Sequence, residues 1–350
     1  MLETKDTNER FLTESAATSE DVVEDRELRP KSFADFIGQK RVVDNIELMV
    51  NSAKIREKAM DHVLLSGPPG LGKTSLAYLI SKMLDVNLHV VSGPAVDKKG
   101  DLAAVLTNLT ARDILFIDEI HRLPIAVEEI LYSAMEDFRL DILIGQGSSA
   151  RTMKIDLAPF TLIGATTRSG LLSRPLRDRF SMQLHFDFYE VDELNTIVSK
   201  NTNKVGVKVS TEARFLIAQM ARGTPRIANR ILRRVRDYAV VKKIDEMDNT
   251  NVESALHMLG IDSFGLDQMD RKILKTINEQ YKGGPVGIDA LSATLNEDRV
   301  TLEEVYEPYL LKIGYIIRSS RGRVISDFGK KYLDKIFGQN HSTTVNITKE

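Results

Sequence analysis

The chain has 350 residues, 42% hydrophobic and 28% charged, with a formal net charge of −2. That is length enough for two or three globular domains, without the global positive excess of a protein that coats nucleic acid indiscriminately. It has no cysteine, which excludes disulfides and zinc–thiolate sites and suits a reducing cytoplasmic setting. No stretch approaches the ~18 apolar residues of a membrane span.

Residues 1–27 are rich in Glu, Asp, Ser and Thr and read as a flexible acidic leader without a secretory signal; residues 338–350 read as a flexible tail. The first strong element is the apolar run His62-Val63-Leu64-Leu65-Ser66, a short buried strand. It leads into Gly67-Pro68-Pro69-Gly70-Leu71-Gly72-Lys73-Thr74 and then a helix opening at Ser75. The pattern G-x-x-x-x-G-K-[ST] between a strand and a helix is that of a phosphate-binding loop. Backbone N–H groups cradle phosphate oxygens, Lys73 reaches the β/γ-phosphates, and the Thr74 hydroxyl ligates Mg²⁺. A Gly/Pro-rich turn matching by chance is the bland alternative.

Ile114-Leu115-Phe116-Ile117-Asp118-Glu119 follows as a strand buried on both faces and ending in two acids. At the carboxyl end of a parallel strand Asp118 would hold Mg²⁺, directly or through water, and Glu119 would activate the attacking water. Two solvated acids closing a strand are the alternative. Residues 139–155 alternate through Leu140, Ile142 and Ile144 into Gly145-Gln146-Gly147-Ser148-Ser149. They read as a hairpin with those three side chains inward and Leu143 and the turn outward, ordinarily at a sheet edge. A third buried strand, Phe160–Ala165, ends in Thr166-Thr167, either of which can sense a γ-phosphate or be a β-rich pair with no ligand. Leu176-Arg177-Asp178-Arg179-Phe180 offers an arginine for a neighbouring subunit's phosphoryl transition state, or a weak surface network. Pro225 fits the first position of a helix whose Ile227, Ile231 and Val235 form a core stripe, with Arg226 in its first turn.

The C-terminal third predicts helices over Met269–Tyr281, Ile288–Leu295 and Leu302–Ile313. A short hairpin follows, Tyr315–Ile325, carrying Arg318, Arg321 and Arg323. Three helices and a basic hairpin describe a winged helix. The three arginines would contact phosphates with little sequence preference, assisted by Lys330 and Lys331; a protein-docking role is the alternative.

Phosphate loop, Asp-Glu strand, Thr tip, Arg-Asp-Arg and Gly-Thr-Pro-Arg stand in the order of the AAA+ ATPases. More narrowly, the chain resembles the bacterial Holliday-junction branch-migration motors of the RuvB family. The resemblance is carried by Leu28-Arg29-Pro30, Phe36-Ile37-Gly38-Gln39, Asp118-Glu119-Ile120-His121-Arg122-Leu123, Ala134-Met135-Glu136-Asp137-Phe138, Gly164-Ala165-Thr166-Thr167-Arg168, Pro175–Phe180 and Gly223–Arg230. It runs from about Leu28 to Phe337.

The resemblance implies an α/β architecture: an AAA+ core with a parallel sheet (28–189), a small helical lid (190–260) and a winged-helix head (261–337). It implies ATP and Mg²⁺ bound by Gly70, Gly72, Lys73, Thr74 and Ser75, with Leu28, Arg29 and Tyr189 on the adenine and ribose side. Glu136, Asp137 and Phe138 join the nucleotide-binding set. Thr167 would be the γ-phosphate sensor, Arg179 the finger acting on the neighbour's ATP, and Arg226 a second sensor. It further implies a homohexamer on Holliday-junction and duplex DNA, acting in recombination and repair with RuvA, met by the hairpin at 139–155, and with the RuvC resolvase. Three positions depart from the family pattern: Ser75 for a second Thr, Arg174 for a small polar residue, and Ser181 for a Gly. The nearest rival is a clamp-loader or replication-initiation ATPase, but the clamp loader's Ser-Arg-Cys finger is missing from a chain without cysteine.

Overall fold

The computed structural model describes residues 27–144 and 151–337; the acidic leader up to residue 26, the tail and the hairpin's Gly/Ser turn fall outside the described residues. The chain forms two compact units, Leu28–Glu193 with Thr224–Arg226, and a second made of Leu194–Gly223 with 227–337. No helix among the described residues is long and apolar enough to cross a membrane.

In the first unit the strands are β1 (Val63–Ser66), β2 (Leu88–Ser92), β3 (Ile114–Asp118), β4 (Arg139–Ile144), β5 (Arg151–Asp156), β6 (Thr161–Thr166) and β7 (Met182–His185). The helices are α1 (Lys40–Arg56), α2 (Lys73–Leu84), α3 (Lys99–Thr107), α4 (Ile125–Glu136) and the single turn α5 (Arg174–Arg177). Five strands make a parallel sheet in the order β2-β3-β6-β1-β7. Continuous apolar runs are what such strands require, and all of β6 and Ile114–Ile117 of β3 are buried. Register brings the carboxyl ends level, with Ser66 opposite Thr166 and Ile117 opposite Gly164. Leu102 and Leu106 of α3, Leu131 of α4, Phe160 and Leu176 fill one face with no exposed surface.

The hairpin departs from the sheet-edge expectation. β4 and β5 pair only with each other, Arg139 opposite Asp156, as a separate two-stranded sheet. Leu140 buries into the cluster beneath α4 together with Leu157, which tethers the hairpin's base there instead of to a strand edge. The side chains of Ile142, Leu143 and Ile144 and the turn lie outside the described residues.

The second unit takes up most of α6 (Val191–Val205), then α7 (Thr211–Met220), α8 (Pro225–Lys242, from Ile227) and α9 (Asn249–Met258). It continues with α10 (Gln268–Glu279), α11 (Ile288–Leu295) and α12, which runs through Arg299–Thr301, a π-helical stretch Leu302–Tyr306 and Glu307–Lys312. Antiparallel β8 (Ile316–Ser319) and β9 (Gly322–Ile325) and α13 (Asp327–Phe337) complete the winged helix. Gly322, at φ +132°, lets the wing close on the preceding loop, because a Cβ there would collide with the Val286 carbonyl oxygen. Val286 and Arg323 exchange both backbone N–H···O bonds at 2.9 and 2.8 Å, so residue 286 acts as a third strand position beside β9.

The residues expected as lid and head share this unit, and a buried ionic joint explains why. Arg222, 2% exposed at the turn between α7 and α8, donates to the Gly265 carbonyl at 3.1 Å and pairs with Asp270 and, at 3.8 Å, with Asp267. Its guanidinium also lies 5.1 Å from the Tyr309 ring centre. Both carboxylates cap the start of α10, each accepting the other's backbone N–H at 2.9 Å. Burial raises the Asp267 pKa, and Arg222 and Arg271 reduce that rise without reversing it. Arg222→Ala therefore strands two buried carboxylates, and a loss of about 3–5 kcal/mol is expected in the denaturant unfolding of this unit. A midpoint unchanged from the parent chain would refute the joint.

Candidate active site

The carboxyl ends of β1, β3 and β6 come together at one edge of the sheet. The loop after β1 passes into α2 at Lys73, with Gly72 as a left-handed cap that offers no side-chain partner to the first-turn amides. Such a turn is an anion cradle. Gly70 has φ +77°, and a Cβ on it would lie 3.0 Å from Arg226 Cβ, so the loop and the start of α8 touch through a missing side chain. Arg226 also gives its backbone N–H to the Gly70 carbonyl at 3.4 Å. Lys73 is 7% exposed, its ammonium donating to the carbonyls of Gly67 (2.7 Å) and Pro68 (2.9 Å).

Burial raises the Asp118 carboxyl above its ordinary value, and the Glu119 charge adds to this, while Lys73 and Arg226 pull it back. Two cations thus face this carboxylate across the loop. Glu119 takes a left-handed backbone, φ 48°, which turns its side chain across to β6. Its Oε2 accepts the Thr167 hydroxyl at 3.0 Å and the Thr167 N–H at 3.2 Å, and lies 3.2 Å from His121 Nδ1. Burial alone would raise its pKa, but the His121 and Thr167 hydrogen bonds outweigh burial and hold it low. Among the described residues no hydrogen bond reaches Oε1. Thr166 is fully buried, with its hydroxyl 2.9 Å from His121 Nδ1 and accepting the Arg168 N–H. Thr167, not Thr166, therefore touches the carboxylate.

The other expected nucleotide residues divide between the two ends of the sheet. Tyr189 is buried and donates its hydroxyl to the Leu71 carbonyl at 3.2 Å, and burial raises its pKa. Phe36 lies 3.3 Å from where a Gly72 Cβ would be, Arg29 stacks 4.1 Å from the Tyr78 ring centre on α2, and Leu28 is buried. Leu71, Gly72 and Tyr78 thus gather Tyr189, Phe36 and Arg29 around the loop and α2. Thr74 and Ser75 are half-buried in its first turn.

Arg179 is elsewhere. Ser181, two residues on, gives its N–H and hydroxyl to the carbonyl of His62, just before β1 begins. The finger is therefore anchored at the amino end of the sheet, with the four residues of β1, about 13 Å of strand, between that anchor and the loop. There its Nη2 donates to Glu136 at 3.0 Å, Nη1 to the Pro175 carbonyl at 2.7 Å and Nε to the Tyr132 carbonyl at 3.4 Å, with the guanidinium 4.6 Å from the Tyr132 ring centre. Glu136 and Asp137 are exposed beside it, and the Phe138 ring packs near His62 and Phe160. Of the departures from the family pattern, Ser181 uses its hydroxyl in this anchor, and exposed Arg174 pairs with Asp178 at 3.4 Å.

On the wing, Arg321 and Arg318 are exposed, as are Lys330 and Lys331 on α13. Arg323 departs from the expected surface phosphate contact: it is 8% exposed, and its Nε and Nη2 engage Glu307 and Glu303.

Comparison with known proteins covers nearly all of the described chain. Family models match in three consecutive blocks: the P-loop domain of the Holliday junction DNA helicase RuvB over residues 28–186, the RuvB AAA lid domain over 189–262, and the RuvB C-terminal winged helix domain over 263–334. The chain belongs to the RuvB family. The Holliday junction branch migration complex subunit RuvB of Kosmotoga olearia is 52% identical over 325 residues, 93% of this chain and 94% of that protein. Its namesake from Granulibacter bethesdensis is 52% identical over 328 residues, 94% and 91% of the two chains. The solved Thermotoga maritima RuvB Holliday junction branch migration motor matches with a TM-score of 0.82 and 51% identity, over 88% of this chain and 98% of that one. RuvB membership sets aside the clamp-loader alternative.

Sequence reasoning gave no role of their own to His121 and His62. His62 bridges the Met135 carbonyl (3.1 Å) and the Leu162 N–H (2.8 Å) at the finger end. A histidine flanking an apolar strand carries no signal of such a role without the fold.

Proposed function

We propose that the chain is the ATP-driven motor of Holliday-junction branch migration, hydrolysing ATP at a site completed by a second copy and moving duplex DNA with its winged-helix head. The observation that carries this reading is the separation of Arg179 from the phosphate loop by the length of β1. A finger at the amino end of the sheet serves a nucleotide on another subunit, which makes a ring of identical, head-to-tail copies the natural assembly. The family's six-membered ring is consistent with that geometry.

In this reading the Gly70–Ser75 backbone and Lys73 bind the phosphates. Thr74 and Asp118 supply one hydroxyl and one carboxylate, a donor set that fits Mg²⁺ sharing its shell with phosphate and water. When bound, the ion neutralises charge developing on the transferred phosphoryl group. Glu119, anchored through Oε2, presents Oε1 to the attacking water and accepts its proton. Thr167 holds that anchor and reports the γ-phosphate by competition for its hydroxyl. Arg226, beside the loop at Gly70, acts as the second sensor of the bound nucleotide. Glu136, Asp137 and Phe138 accompany Arg179 to the neighbour's nucleotide. Arg318 and Arg321 engage DNA phosphates, and β4–β5 with its turn meets RuvA. Cooperation with RuvC and a cytoplasmic location complete the proposal.

The test is dissociation of a synthetic four-way junction by the full-length chain with ATP and Mg²⁺, with and without RuvA. ATP-dependent dissociation stimulated by RuvA is expected. Activity confined to clamp opening on primer–template DNA would reject the proposal.

A further inference from the structure

The wing arginines do not stand alone; they share one carboxylate. Arg318 aims Nε and Nη2 at Glu307 Oε1 and Oε2, at 3.2 and 2.6 Å. Arg323 aims the same two nitrogens at the same two oxygens, at 2.7 and 2.8 Å, and its Nη2 reaches Glu303 at 3.2 Å. Four donors thus meet the roughly four lone-pair positions of one carboxylate. The Glu307 side chain is 5% exposed, that of Arg323 10% and that of Arg318 56%. Glu303, one turn earlier on α12, also faces Arg299 at 3.7 Å. The arrangement is layered: a buried acid, a nearly buried arginine that locks it, and an outer arginine with its remaining N–H donors toward solvent.

We propose that Glu307 is a positioning residue for DNA binding, holding Arg318 in a fixed fork so that its outer edge is preset for a backbone phosphate. The proposal rests on the reading of the wing as a DNA contact. Simple electrostatics predicts the opposite sign, because a carboxylate beside a phosphate-binding arginine repels DNA and its removal should tighten binding. Two features reverse that expectation. The Glu307 and Glu303 charges are matched by the Arg318 and Arg323 guanidiniums, so the cluster turns no net negative charge toward DNA. Arginine is also rich in rotamers, and a side chain already immobilised loses little freedom on binding.

The experiment measures affinity of the full-length chain for a four-way junction by fluorescence anisotropy across a salt series, for Glu307→Gln, Glu307→Asp, Arg318→Ala and the Gln/Ala double variant. Glu307→Gln is expected to weaken binding about tenfold and to flatten the log–log salt slope by about 0.9, one phosphate contact, as Arg318→Ala does. In the Arg318→Ala background it should have little further effect. Glu307→Asp retains the charge but withdraws it by one methylene, and it too should weaken binding. Equal or tighter binding by Glu307→Gln with a steeper slope, or parental binding by Glu307→Asp, overturns the positioning role. Near-ultraviolet circular dichroism from the tyrosines of the head checks its packing; if the Gln variant unpacks it, the Asp variant decides the matter. If Arg318→Ala leaves affinity and slope unchanged, the wing reading itself fails, which is a separate outcome.

Discussion

Glu119→Gln is expected to bind ATP and assemble like the parent chain while hydrolysing about 10²–10⁴-fold more slowly. The substitution keeps the size of the side chain, and with its carbonyl oxygen at the position of Oε2 and its amide at that of Oε1 the Thr167 contacts at 3.0 and 3.2 Å can persist. What it removes is the proton acceptor. In the structure that acceptor is held by one oxygen, and the hydrogen bonds from His121 and Thr167 outweigh burial and depress its pKa. Basicity in bulk is therefore not what the site supplies; placement of Oε1 is. The prediction separates these, since an amide in the same place orients water but takes no proton. Rapid-quench single-turnover hydrolysis alongside nucleotide-binding titration reads both quantities. Turnover within a fewfold of the parent would remove Glu119 from the chemistry and leave Asp118 as the acid to examine.

Much of this site could be read from the chain because it depends on local spacing. The phosphate loop, the Asp118-Glu119 strand end and the Thr166-Thr167 tip are short segments whose chemistry follows from residue type and from their place after an apolar run. The parallel sheet followed for the same reason, since runs such as Ile114–Ile117 are buried on both faces. What depends on tertiary register was not accessible. The choice between Thr166 and Thr167 turns on which hydroxyl faces Glu119, which the left-handed backbone at that residue decides. β4–β5 has the alternation of a sheet-edge hairpin, yet Leu140 ties it beneath α4. Arg323 has the composition of a surface phosphate contact, and burial against Glu307 and Glu303 rather than local sequence sets its role. Charged residues carry the least positional information in a sequence, because solvation, pairing and ligand binding all use the same side chains.

Arg179→Ala should abolish hydrolysis at least as completely, a loss of about 10³–10⁵-fold, without weakening nucleotide binding at the chain's own loop. The reason is spatial. Arg179 is anchored through residue 181 to the amino end of β1, whereas Lys73, Asp118 and Glu119 sit at the carboxyl end of the sheet. Its present partners, Glu136 and the Tyr132 ring, hold the side chain, 21% exposed, at that far end. Lysine should not rescue it, because a point charge reproduces neither the forked donors nor the stacking on Tyr132. Mixing experiments separate action in trans from a structural defect. Lys73→Ala chains lack a working loop but keep the finger; Arg179→Ala chains lack the finger but keep the loop. Each is expected to be inactive alone. Co-assembled in equal amounts, about a quarter of head-to-tail interfaces pair an intact loop with an intact finger. ATPase activity should therefore return on mixing and scale with the product of the two fractions. If Arg179 served its own loop, every mixture would stay as inactive as its components, because no chain in it would carry both groups.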